Sequence, residues 1–94
     1  MIEMTVSCSP DASGWACVVH LRDPDGSSTR HRVSVSAGDL FSLDAGAPDP
    51  TELVRRSFAF LLEREPKESI LRSFELGVIG SYFPAYEAQI RSKT

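Results

Sequence analysis

The chain has 94 residues, 41% of them hydrophobic and 24% charged, with a formal net charge of -3. A core of that size buries roughly 60 to 65% of the surface an unfolded chain exposes, so one domain over 1–94 is expected and the disorder class, low in hydrophobicity and high in charge, is excluded. The acidic balance argues against a general polyanion binder, but it is uneven: residues 1 to 50 hold three Arg against seven acids, and residues 51 to 94 hold seven bases against six acids.

No apolar run approaches the roughly 20 residues that span a bilayer, and MIEMTVSCSP carries an acid in place of a basic leader. A cytoplasmic protein without a membrane segment is the expectation. Cys8 and Cys17 are too few for a disulfide scaffold, and neither CxxC nor a Cys/His cluster at zinc spacing occurs. No metal and no other cofactor is expected.

Ile2, Met4, Val6 and Cys8 alternate with Glu3, Thr5 and Ser7, the pattern of a half-buried strand. After Pro10-Asp11-Ala12-Ser13-Gly14, the alternation resumes with Trp15, Cys17, Val19 and Leu21 on one face and Ala16, Val18, His20 and Arg22 on the other. A hairpin closed at residues 11 to 14 sets Pro10 opposite Trp15 and therefore Cys8 opposite Cys17. Two small buried hydrophobes are the expected state of that pair, and a redox or metal-binding thiol pair is the sharper alternative. Asp23-Pro24-Asp25-Gly26 is a strong turn signal, with Pro presetting φ and Gly supplying a positive one.

A third strand is expected from about Ser28 to Val35, with Thr29, His31, Val33 and Val35 opposing Arg30, Arg32 and Ser34, and its polar content reads as a sheet edge. His20 and His31 lie on strands joined by the second turn, where they are placed to face each other as half a metal site. Two solvated strand histidines are the plainer expectation.

Ser36-Ala37-Gly38-Asp39 offers a cap with an acid three residues on, which predicts a short helical turn around 37 to 43. The best local signal is Asp49-Pro50-Thr51-Glu52, in which Asp49 caps, Pro50 takes the position that needs no amide donor and Glu52 follows. The main helix is expected over about 50–65, with Leu53, Val54, Phe58, Leu61 and Leu62 as its apolar stripe, until Pro66 closes it. Pro66 also opens a helix carrying Ile70, Leu71 and Phe74, after which Gly77, Gly80 and Pro84 leave only short turns around Tyr86 and Ile90. The fold class is therefore α+β: a three-stranded antiparallel meander over about 1–36, then a helical half over about 37–91. Trp15, Val19, Leu21, Phe58, Leu61 and Leu62 are the expected core.

Catalytic signatures are absent: no Gly-rich phosphate loop, no G-x-S-x-G, no H-E-x-x-H. Glu63, Glu65, Glu68 and Glu75 bracket the corner after the main helix, where a buried one would serve as a general acid and solvated helix-end charges are the plainer reading. Arg30-His31-Arg32 with Arg22 form a basic patch suited to a phosphate backbone or an acidic partner, with Arg55 or Arg56 as candidates to extend it. Phe74, Tyr82, Phe83 and Tyr86 form an aromatic cluster suited to peptide binding or self-association, or to closing the core. A homodimer is expected from a sheet with too few helices to cover it.

The segment ELVRRSFAFLLEREPKESILRSFELGVIGSYFPAY, through FLLEREPKESIL and YFPAY, resembles a small bacterial protein family without an assigned function, and implies no site residues. The strands before it bear a generic resemblance to meander-plus-helix domains such as the HicB-type antitoxins, whose N-terminal motif is missing here. The expected role is a non-enzymatic protein-interaction domain. The alternatives are a nucleic-acid-binding or antitoxin-like module, and a small enzyme with a site between sheet and tail.

Overall fold

The computed structural model describes residues 1–91. Its elements run β1 (Glu3–Asp11), β2 (Gly14–Arg22), β3 (Ser28–Ser36), α1 (Ala37–Leu43), α2 (Thr51–Leu62), a 3-10 turn at Lys67–Ser69, β4 (Ser73–Glu75), a second 3-10 turn at Leu76–Val78, α3 (Ile79–Tyr82) and α4 (Tyr86–Ile90). The first hairpin has the expected register, Pro10 opposite Trp15 and Cys8 opposite Cys17. Its turn is tied by Asp11, whose Oδ1 accepts from the amides of Ser13 and Gly14. Only glycine fits at position 14, since a Cβ there would lie 2.1 Å from the Val35 carbonyl oxygen on β3. The second turn closes through Gly26, at φ +93, where the missing Cβ removes the steric cost of a positive φ.

The sheet departs from the expected three strands. It has four, in the order β1-β2-β3-β4, and β4 joins β3 in parallel. The polar third strand is therefore not an edge along its whole length: Arg32, Val33 and Ser34 pair with Ser73, Phe74 and Glu75. The helix expected to carry Ile70, Leu71 and Phe74 does not form. After the 3-10 turn the chain runs extended, buries Ile70, exposes Leu71 and lays Phe74 beside Val33 on the inner face. A chain that must return to the sheet gains ladder hydrogen bonds by extending, and three residues are too few for propensity to resist.

Helix α1 begins where expected, with the Ser36 hydroxyl accepting from the Asp39 amide at 3.0 Å. Helix α2 starts one residue later than its proline suggests, with Asp49 Oδ1 accepting from the Thr51 amide at 2.9 Å. It lies across the inner face of the sheet, burying Leu53, Val54, Phe58 and Leu61, with the Phe58 ring tilted against His31 at 5.4 Å and Phe74 at 5.9 Å. Burying one such phenyl ring contributes about 1.5 to 3 kcal/mol. Phe60, outside the expected stripe, is also buried, because α4 covers the far side of α2 and sets Tyr86 edge-on to it at 5.3 Å. Of the expected core, Val19, Leu21, Phe58 and Leu61 are buried, while Trp15 and Leu62 are half-buried at its margin.

Candidate functional site

The aromatic cluster divides. Tyr86 is wholly interior, 1% exposed, and so is not a contact residue. Its hydroxyl lies 2.6 Å from Ser57 Oγ, and since the Ser57 proton goes to the Leu53 carbonyl, the tyrosine donates to the serine. Burial pushes its phenol up to about 12. Phe74 and Phe83 are half-buried and Tyr82 is 67% exposed.

These three border a groove of about 260 Å³ between the end of α2, the 69–74 segment and α3. Leu61, Ile70, Val78 and Ile79 complete its apolar wall, with Leu71 and Tyr82 at its mouth. The sole carboxylate lining it belongs to Glu65, half-buried and without an ion pair among the described residues. Leu71 and Glu65 were not singled out as contact residues from the sequence. The available signal was the pair Ile70-Leu71, since an extended chain on a sheet buries only one of two adjacent apolar residues.

The basic patch falls elsewhere. Arg22, Arg30 and Arg32 project from the outer face of the sheet, which no helix covers, with His20 directly opposite Arg30. Among the described residues none of the three arginines has a carboxylate partner, whereas Arg55 pairs with Glu52, Arg56 with Asp44, Arg64 with Glu63 and Arg91 with Glu87. Arg55 and Arg56 therefore do not join the patch.

The histidines do not face each other. His20 is outside, paired in register with Arg30, while His31 is fully buried opposite Val19. His31 Nδ1 donates to the Leu71 carbonyl at 2.7 Å, which leaves Nε2 to accept from the Thr29 hydroxyl at 2.8 Å. Burial lowers its pKa, the Leu71 contact opposes this, and the charge of Arg72 adds to the lowering. Its role is to pin the chain entering β4. Among the described residues no group of three or more His, Cys, Asp or Glu is placed to hold a metal ion.

Cys8 and Cys17 are joined in a disulfide, with Cα atoms 4.0 Å apart, in place of the expected pair of thiols. Lys67 is also unforeseen. It is 2% exposed, with its ammonium on Asp23, Glu68 and Ser27 Oγ, so it fastens the β2–β3 turn to the start of the 69–74 segment. The hydrogen bonds its ammonium donates to Asp23 and then to Glu68 raise its pKa.

Among the described residues no helix is long and apolar enough to cross a membrane. Comparison with protein-family models, with curated proteins and with solved structures finds no match.

Proposed function

We propose that this protein is a protein-interaction domain whose working surface is the groove between α2 and α3. The observation that carries this is a concave apolar wall with Leu71, at 49%, and Tyr82, at 67%, exposed at its mouth. Apolar side chains held in water at a concave site are the anatomy of an interface core. Glu65 gives the partner a second property: an apolar segment carrying a basic residue satisfies both the wall and the unpaired carboxylate.

The test is capture of partners by the wild type, by Leu71→Glu with Tyr82→Glu, and by Arg30→Glu with Arg32→Glu. Loss of a bound protein in the groove variant alone supports the reading. A bound set indifferent to the groove substitutions rejects it.

A second reading rests on the unpaired arginines. The outer sheet face presents Arg30 and Arg32 without an ion pair among the described residues, and Arg22 in register with Glu3 but without an ion pair to it, which suits a nucleic acid or other polyanion. Three phosphate contacts would give a log-affinity against log-salt slope no steeper than about -3. Absence of binding to single- or double-stranded nucleic acid at low salt removes this reading.

A cytoplasmic setting, as part of this reading, makes a demand of its own, because reducing compartments hold cysteines as thiols. In that setting Cys8 and Cys17 would be an adjacent dithiol that closes on oxidation. Thiol titration of protein trapped in acid directly from cells reads which form is present.

A further inference from the structure

Strand β1 is an open sheet edge of nine residues, Glu3–Asp11, in one-to-one register with β2 and so without a bulge. Proteins usually blunt such edges with lysines, mid-strand prolines, bulges or short length. Here Glu3 is the sole charge before Asp11, and Pro10 lies at the far end.

The direction of the edge groups follows from the cross-strand geometry. A Cα separation of 4.0 Å between Cys8 and Cys17 is that of a non-hydrogen-bonded antiparallel pair. Pairs two residues away share that character, so the N–H and C=O groups of Met4, Val6 and Cys8 point away from β2 toward solvent. The Met4 carbonyl confirms the direction by accepting, at 3.4 Å, from Arg55 Nη1 on α2. That contact leaves the oxygen a second lone pair.

We infer that a second copy of this chain adds to this edge, β1 against β1 antiparallel about a two-fold axis at Val6. In that register Met4 meets the partner's Cys8, Val6 meets the partner's Val6 and Thr5 meets the partner's Ser7, so every outward amide finds a carbonyl. Glu3 falls opposite the partner's Ser9, and no like charges oppose each other. The half-buried inner row of Ile2, Met4, Val6 and Cys8 is continued by the same row of the other copy. The opposite edge does not compete, because β4 is only three residues long. The proposal goes beyond the groove reading, since β1 and β4 are the two ends of the strand order.

The test is sedimentation equilibrium over a concentration series for the wild type and for Thr5→Glu with Ser7→Glu. Both substituted positions are exposed on the outer face, so the variant keeps its fold, which circular dichroism checks. The expected result is a concentration-dependent wild-type dimer, a dissociation constant raised at least about ten-fold by the facing glutamates, and a restored heterodimer on mixing with Thr5→Lys and Ser7→Lys. Independently of any variant, hydrogen exchange at the Met4, Val6 and Cys8 amides slows as wild-type concentration rises. A wild type monomeric throughout, a dimer insensitive to the glutamates, unchanged exchange at those amides, or an association lost in Leu71→Glu instead would each overturn the proposal.

Discussion

His31 shows how a single side chain sets a dependence on pH. Its folded-state pKa is lowered from 6.5 by burial, so on acidification the unfolded chain takes up a proton that the folded chain resists. The contribution is complete above about pH 6.5 and declines as pH falls through that value toward the folded pKa. Chemical denaturation across pH 4 to 8 is expected to show a midpoint that drops below about pH 6.5, and His31→Gln should flatten that drop. Tyr86→Phe removes a donor while the Ser57 hydroxyl keeps its bond to Leu53. The expected loss is about 1 kcal/mol of unfolding free energy, far less than removal of the ring.

The two cysteines and Tyr86 also mark what a sequence can disclose. The adjacency of Cys8 and Cys17 was legible from Pro10 to Gly14, because turn position and strand period together dictate register. Their oxidation was not, since that depends on redox surroundings as well as proximity. Tyr86 could not be assigned to core or surface from spacing alone. Both readings need an apolar ring near Pro84, and only the docking of α4 on α2 distinguishes them.

Among elements, the two caps were the most readable features. Ser36 caps α1 as expected, and Asp49, one residue ahead of the Pro50 that takes the cap position of α2, still holds the Thr51 amide. Both act through groups within three residues in sequence, so local chemistry suffices to place them. Asp49→Ala is expected to cost about 1 kcal/mol, measured by urea denaturation. β4 was unreadable for the opposite reason. Its hydrogen bonds go to a strand some 40 residues earlier, and Ile70, Leu71 and Phe74 match a helical period as well as they match an extended one. The first hairpin carries its own test: the disulfide closes a loop of nine residues' separation, worth about 2 to 3 kcal/mol by chain entropy. Reduction should therefore lower the denaturation midpoint.

At the scale of the whole molecule, the described surfaces are segregated. The inner face of the sheet is spent on α2, the outer face carries unpaired arginines, and the groove sits where α2 ends and the returning chain begins. Lys67 joins the two halves through Asp23 and Ser27, while Glu68, next to it in sequence, pairs with the same ammonium from its own segment. Asp23 is the more enclosed carboxylate, 30% exposed against 59% for Glu68, and less solvent screening makes its loss the costlier. Asp23→Ala is expected to lower the melting temperature more than Glu68→Ala, and to weaken groove binding with it, as calorimetry of the two variants would show.

The parallel seam between β3 and β4 also implies an order of assembly. Hairpins close quickly because their ends are near in sequence, whereas β4 must wait for the loop through α1 and α2 to be closed. The seam is held by Arg32 donating to the Arg72 carbonyl at 2.8 Å and by three register pairs, so it is both the last part to dock and among the first to release. The groove wall it carries then opens as a cooperative unit below the global unfolding threshold. Native-state exchange should find the Arg32 amide less protected than those of the β2–β3 ladder, which would make the groove wall the portion of the molecule that breathes.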